Sequence, residues 1–492
     1  MPQSPFIKAL LLCLSGFLLS FSAPGYDLWL IAWLGLIPLF IVINTSKKIH
    51  EVVLYPFLFG FSYNFWYLHW LLATTSLRLL GFERFENSYV QLALLILLAG
   101  CCAVFFSIFA LLTTYLRKLL PKSFNSGVLN LIAAFIWLLL FNKLSASETL
   151  LGGFPWTLIE YSQYKNLFLI QIAEYFGSMS ISFLIVLFNL TLADLFIGKS
   201  SILNLVFVLA LIFSILIFGV YAYKNNQEHF STKSHKICIL QGNFPKEERY
   251  SDARLQLARD TLTKLGKQYN PSLFIFPEGA LPTTYTSDLV TQNWVQAVAK
   301  SKQADIISGT FCTNEQRLTN CAVSYSLKTN KSTFYEKERI VPLSEYVPFR
   351  SILQKLCKKL GKNITLKKGL SKGQQAAPIH TSLGKAGISI CFELIFPDLI
   401  KKQSVQGAKL LINTSNLKRF KNTLIQKQFL SFAVFRAIEN RKPFILAVNN
   451  GISAFVTPNG KITARSLSET RQSLLHWINP NDKITFYAKY GW

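Results

Sequence analysis

The sequence predicts a chain in two parts: a multi-span α-helical membrane domain followed by an α/β domain. Three observations carry this reading. At 492 residues the chain is too long for one ordinary domain. Its residues are 51% hydrophobic, with 41 Phe, and almost all of that excess lies before residue 223, in runs long enough to cross a bilayer. From Lys236 onward the texture changes to short β-like runs separated by helical stretches.

Seven spans are expected in the first part, at about Ile7–Phe21, Leu28–Ile43, Val53–Leu72, Val90–Thr113, Val128–Phe141, Ser178–Phe196 and Ile202–Ala222. The first has a lysine followed by an apolar core, as a cleaved leader would, but the second span begins at once after Pro24, so retention is expected. In the short loops, Lys8, Lys47, Lys48, Arg117, Lys118, Lys122 and Lys199 fall on one side, and Arg78, Arg84, Lys143, Lys165 and Lys224 on the other. That bias places the N-terminus in the cytoplasm, and an odd number of spans puts everything after residue 223 outside. One outward loop holds Gly152-Gly153-Phe154-Pro155-Trp156, then Tyr161-Ser162-Gln163. Such aromatics either anchor an interface or shape a mouth through which a lipid chain enters.

The net charge of +26 does not indicate nucleic acid, because the basic residues are scattered among acids and amides with no zinc-finger or RNP-type motif. A basic domain tethered to a membrane lies more naturally against anionic headgroups. Of eight cysteines, Cys238, Cys312, Cys321, Cys357 and Cys391 fall in the second part. An odd number in an oxidising compartment leaves at least one thiol free. Cys312 and Cys321 are near enough in sequence to pair, which sequence alone leaves open. Without Cys-x-x-Cys or His-x-x-x-His spacing, and with six His in all, neither a metal nor a cofactor is expected.

In the second part, Ile237–Gln241, Leu273–Phe276, Ile306–Gly309, Ala322–Leu327, Ile388–Cys391, Leu410–Asn413 and Phe444–Val448 read as strands. Ser287–Lys302 and Phe429–Asn440 read as amphipathic helices. Three chemically distinct groups sit at or just after β-like runs: Glu278 after Leu273–Phe276, Lys337 near the start of the stretch Tyr335–Pro348, and Cys391 closing Ile388–Cys391. Singly each has a plain reading, as a cap, a solvated charge and a packed thiol. Together they supply a base, a cation and a nucleophile.

In this order and spacing the three resemble the Glu-Lys-Cys triad of the nitrilase superfamily. Joined to the membrane part, the chain is similar to that superfamily's membrane-embedded branch, the apolipoprotein N-acyltransferases. The resemblance rests on Gln241-Gly242-Asn243, Pro277-Glu278, Lys337 with Val341-Pro342 and Glu345-Tyr346-Val347-Pro348, Cys391-Phe392-Glu393, Asn449-Asn450-Gly451, and Gly153-Phe154-Pro155-Trp156 with Tyr161-Ser162-Gln163. It implies an α-β-β-α sandwich over residues 224–486, after a membrane domain over 1–223 and before a stub at 487–492, where a final span would be expected. It further implies Glu278 as general base and acid, Lys337 as oxyanion stabiliser and Cys391 as nucleophile. Glu345, Glu393 and Phe392 would support them, and Trp156, Tyr250, Asn416 and Asn449 would touch substrate.

The activity implied is transfer of an acyl chain from a phospholipid, through a cysteine thioester, to the N-terminal amine of a diacylated apolipoprotein. The setting implied is a bacterial inner membrane, with the catalytic domain on the periplasmic face and the chain a monomer. Three stretches depart from the pattern. Tyr250 stands where the family usually has Trp, and Phe392 where it has Tyr. Ser415-Asn416-Leu417-Lys418-Arg419-Phe420 replaces Ser-Asn-Asp-x-Trp-Phe. A membrane-tethered amidase or nitrile hydrolase, and a non-catalytic scaffold with a decayed nitrilase module, remain the alternative readings.

Overall fold

The computed structural model describes residues 4–74, 88–121, 124–147, 153–227, 234–245, 251–314, 317–359, 369–374 and 377–491. They divide into two compact units, one up to Tyr223 and one from Lys224.

The first unit is helical: α1 (Pro5–Ser20), α2 (Ile37–Thr45), α3 (Ile49–Tyr67), α4 (Ser88–Leu119), α5 (Ser126–Trp137), α6 (Ala173–Phe176), α7 (Met179–Phe196) and α8 (Ile202–Asn225), which leads out of it. Among the described residues four stretches are long and apolar enough to cross a bilayer: Tyr89–Leu119, Ser126–Leu144, Met179–Phe196 and Ile202–Asn225. The expected spans starting at residues 7, 28 and 53 coincide with α1, with a 3-10 turn followed by α2, and with α3. α1 and α2 are short, and α3 carries His50, Glu51 and Asn64. α7 is 61% buried and so forms the middle of the bundle, whereas α8 is 11% buried and presents Leu203, Phe207, Phe213 and Ile217 outward. An apolar face of that size is compatible with lipid and not with water.

The buried charges Asp194 and Glu160 inside this unit have polar partners, as the bilayer demands. Arg117 reaches Asp194 at 3.2 Å and Asn130 at 3.0 Å, and Asn44 donates to Asp194 at 2.6 Å, which ties α4, α5, α2 and α7 together. Glu160, fully buried, accepts from Asn142 at 2.7 Å and from Ser182. α1 crosses α3 closely because Gly16 has no side chain, and a Cβ there would lie 2.3 Å from the Phe59 carbonyl oxygen.

The second unit contains two six-stranded sheets. Its strands are β1 (His235–Gln241), β2 (Leu273–Phe276), β3 (Asp305–Asn314), β4 (Arg317–Ser326), β5 (Lys331–Glu336), β6 (Ile379–Thr381), β7 (Gly384–Ile390), β8 (Leu410–Ser415), β9 (Phe444–Val448), β10 (Ala454–Val456), β11 (Ile462–Arg465) and β12 (Gln472–Ile478). Their orders are β12-β1-β2-β3-β4-β5 and β11-β10-β9-β8-β7-β6. In each sheet three central strands run parallel, β1-β2-β3 and β7-β8-β9, and the outer strands are antiparallel. The helices are α9 (Asp252–Gly266), α10 (Leu289–Lys302), α11 (Arg350–Lys359), α12 (Pro397–Val405), α13 (Ile425–Asn440) and α14 (Phe486–Tyr490). α9 and α10 pack on the first sheet, α12 and α13 on the second, and the sheets face each other, giving the expected α-β-β-α sandwich.

Periodicity explains the layers. In β1, Cys238 and Leu240 pack with Ala258, Leu262, Val295 and Ala299 of α9 and α10, while Ile237 and Ile239 point toward the other sheet. A strand covered on both faces reads as a continuous apolar run, which is why β1, β2, β8 and β9 were legible. β5, β6, β10, β11 and β12 fall outside the strands expected from the sequence. They are outer strands with polar positions, such as Lys331-Ser332-Thr333 in β5, or runs of three or four residues. α13 also differs from expectation: it is not amphipathic, since residues from Ile425 to Asn440 other than Lys427 are buried. Its Arg436 and Glu439 pair at 2.8 Å, so two charges that mark a wet face in sequence sit inside. Cys312 and Cys321 form a disulfide that staples β3 to β4.

Replacing Gly16 by Ala should destabilise the first unit by about 1–3 kcal/mol through the clash with the Phe59 carbonyl. A melting temperature in detergent indistinguishable from that of the unmodified protein would contradict the close α1–α3 contact.

Candidate active site

Four strands of the second unit deliver the predicted residues. β2 ends at Phe276, and Glu278 follows Pro277. The turn lies against β3 at Gly309, where a Cβ would come within 2.4 Å of the Glu278 Cα. β5 ends at Glu336 and the next residue is Lys337. β7 ends at Ile390, and Cys391 opens a 3-10 turn with φ +51°. A non-glycine residue in this region is strained, and here the strain lifts one side chain off the end of a rigid strand. β8 ends at Ser415, and Asn416 follows.

Lys337 is 1% exposed, and its Nζ lies 2.8 Å from Glu345 Oε1 and 3.9 Å from Glu278 Oε1. Asn320 on β4 donates from one Nδ2 to both carboxylates, at 2.7 Å to Glu278 Oε1 and 3.1 Å to Glu345 Oε1. The Asn416 backbone N–H donates to Glu278 Oε2 at 2.8 Å, and the Val341 N–H to Glu345 Oε2 at 2.8 Å. Cys391 shares the electrostatic environment of Glu278, Lys337, Glu345 and the Asn416 N–H. The three triad positions are therefore brought together, with Glu345 beside the lysine.

Burial pulls the Lys337 ammonium down, but Glu345, Glu278 and Cys391 outweigh it and hold its pKa above the ordinary lysine value. It stays charged. Burial pushes the Glu278 carboxyl up, with Glu345 adding to the shift and Lys337 and the Asn320 and Asn416 donors opposing it. Burial and then Glu278 push the Cys391 thiol up, against the pull of Lys337. Lys337 and the Asn416 N–H favour the thiolate but do not outweigh burial and the two acids, so the resting thiol keeps its proton, with the Glu278 carboxylate sharing its surroundings.

Around this centre, Glu393 is fully buried and gathers four donors. Its Oε1 accepts from the N–H groups of Glu338 at 2.7 Å and Arg339 at 3.0 Å, and its Oε2 from Ile390 N–H at 2.7 Å and Tyr335 OH at 2.9 Å. It thus binds the strand bearing Cys391 to the segment bearing Lys337. Asn413 fixes the Cys391 carbonyl at 3.3 Å and Ser389 Oγ at 2.9 Å. The Phe392 ring is buried edge-on against Phe396 at 5.2 Å.

Of the expected substrate contacts, Asn416 borders the centre, Tyr250 lies outside the described residues, and Asn449 is buried. Asn449 exchanges hydrogen bonds with the Phe244 backbone at 2.9 and 3.0 Å and reaches Asn416 Oδ1 at 3.4 Å, a positioning arrangement. Trp156 is in the first unit, buried against Trp70 at 5.2 Å and stacked on Phe154 at 5.7 Å. Sequence reasoning missed Asn320 and Tyr335. The available signal was slight: an amide directly before Cys321, closing the polar stretch Arg317-Leu318-Thr319-Asn320, and a tyrosine two residues before Lys337. Among the described residues no cluster of His, Cys, Asp and Glu could hold a metal.

Glu393 tests the electrostatics. Burial, opposed by its donors and Lys337, pushes its pKa up to about 7. A raised folded pKa means a stability contribution that is complete below the ordinary glutamate value and lost as pH rises through about 7. The advantage of the unmodified protein over Glu393→Gln in melting temperature should therefore shrink from pH 5 to pH 8. An advantage that grows over that range would refute the assignment.

Comparison with known proteins agrees with this division of the chain. A family model described as apolipoprotein N-acyltransferase N-terminal domain matches residues 15–191, and one described as carbon-nitrogen hydrolase matches residues 239–482. A protein of Geobacter metallireducens named apolipoprotein N-acyltransferase is 26% identical, over 100% of this chain and 92% of its own. Proteins of the same name from Haemophilus influenzae and Wigglesworthia glossinidia brevipalpis are 28% and 26% identical, over 99% and 96% of this chain and 92% of theirs.

Proposed function

The chain belongs to the apolipoprotein N-acyltransferase family, the membrane-embedded branch of the nitrilase superfamily, and we propose that it acylates the N-terminal amine of diacylglyceryl-cysteine in apolipoproteins with an acyl chain from a phospholipid. The observation that carries the reading is the convergence of Glu278, Lys337 and Cys391 at one buried centre in a chain whose other unit is built to span a membrane.

In the proposed reaction the Cys391 sulfur attacks an ester carbonyl of the phospholipid as its proton passes to Glu278. Negative charge develops on the carbonyl oxygen, and the Lys337 ammonium stabilises it without reorganising, since Glu345 already fixes it. Collapse breaks the ester C–O bond, and Glu278 returns the proton to the departing lysophospholipid alkoxide. The acyl chain then waits as a thioester. The lipoprotein amine attacks, Glu278 accepts its proton, the C–S bond breaks, and the thiolate recovers the proton. The product amide is far less electrophilic than the thioester, so the transfer runs downhill.

Both substrates carry acyl chains whose exposure to water costs about 0.8 kcal/mol per CH2, which gives a membrane-resident enzyme its reason. The Cys312–Cys321 disulfide supports a catalytic domain on the outer, periplasmic face of the inner membrane, because cytoplasmic thiols are kept reduced. Action as a monomer completes the proposal. An amidase acting on small soluble substrates gains nothing from such spans.

Incubated with a phospholipid and a diacylated lipopeptide, the protein should add one acyl chain to the peptide's N-terminal amine, as read by mass spectrometry. Cys391→Ser should abolish the acyl-enzyme, and an adduct that persists in that variant would sink the assignment. Release of ammonia from small amides without peptide acylation would favour the amidase instead. For the orientation, protein from intact cells that is unfolded and alkylated without reductant should leave Cys312 and Cys321 unmodified, and labelling of both would place the domain in the cytoplasm.

A further inference from the structure

At the rim of the Cys391 centre two cations stand side by side. After β8 the chain runs Asn416, Leu417, Lys418, Arg419, and residues 418–420 form a short 3-10 turn. Leu417 is buried and pins the turn, leaving Lys418 and Arg419 half-buried beyond it. The turn is fixed to the reacting groups, since the Asn416 N–H two residues before Lys418 donates to Glu278 at 2.8 Å. Arg419 reaches across to the Ser344 hydroxyl at 2.8 Å, and Ser344 precedes Glu345, the partner of Lys337. Lys418 donates to the Asn243 side-chain oxygen at 3.1 Å, and that loop is bonded in turn to Asn449. Both cations are therefore held in place by bonds to two other loops, those of Asn243 and Ser344. The Asn243 amide holds the Lys418 ammonium without neutralising it.

We propose that Lys418 and Arg419 form the donor's phosphate site, gripping the phosphodiester of a phospholipid whose ester carbonyl is presented to Cys391. This deepens the function proposed above and rests on it. The guanidinium fork and the ammonium match the geometry and charge of a phosphodiester, and both already stand in place, so little side-chain freedom is lost on binding. A phosphate held at the rim fixes the glycerol bonded to it and so brings an ester carbonyl of that glycerol to the sulfur. The site thus selects glycerophospholipids over neutral acylglycerols. If the two side chains were only staples between loops, their loss would slow every donor alike.

The test uses the full-length protein in neutral detergent, with phosphatidylglycerol and diacylglycerol of identical acyl chains, and reads the rate of Cys391 acylation by intact-protein mass spectrometry. The unmodified protein should prefer phosphatidylglycerol. Lys418→Gln with Arg419→Gln should reduce that preference roughly ten- to hundredfold, the range expected for charge-assisted hydrogen bonds. Lys418→Arg and Arg419→Lys should restore most of it. A preference ratio unchanged in the double variant, even with both rates lowered, would overturn the phosphate site. No adduct from either donor in the unmodified protein would overturn the underlying acyltransferase reading.

Discussion

One ammonium, enclosed by protein and held between two acids, organises the second unit. Lys337 could not remain charged at 1% exposure without Glu345 and Glu278 beside it. Asn320 donates to both acids and so ties them to one another beside the lysine. The three charges and the amide form one electrostatic unit, and each group depends on the others for its state. The fold serves that unit by delivering each member from a different element, Glu278 after β2, Asn320 from β4 and Lys337 after β5, so that strand pairing fixes their separations.

The thiol is poised differently from what a bare inventory of charges suggests. Two carboxylates and one ammonium around the sulfur leave it protonated, since desolvation, Glu278 and Glu345 act against ionisation and outweigh Lys337 and the Asn416 N–H, which act for it. A thiol held protonated is also the less reactive form, because the thiolate is what oxidants and stray disulfides attack. The strained backbone at Cys391 and the bond from Asn413 to its carbonyl keep the sulfur on its line of approach meanwhile.

Much of this was legible from residues alone, and the reason is physical. Strands buried on both faces, such as Leu273–Phe276 and Phe444–Val448, write themselves as unbroken apolar runs, and the reactive groups sit where those runs stop. What escaped was whatever depends on contact between distant segments. Asn320 looks like one polar residue among many until β3, β4 and β5 pair. Tyr335 and Glu393 lie 58 positions apart and meet only through folding. Asn449 was expected to touch substrate through the family resemblance, yet its amide is engaged by the Phe244 backbone. Arg436 and Glu439 in α13 give no sign in sequence that their helix is enclosed.

The absence of a side chain at Gly309 carries a consequence for how the enzyme can change over time. The backbone carrying Glu278 rests directly on that residue, with no room for a single carbon between them. Mutational drift at position 309 is therefore coupled to the chemistry rather than to the sheet that contains it. This spot in the middle of an ordinary strand is closed to any side chain for as long as Glu278 keeps its place.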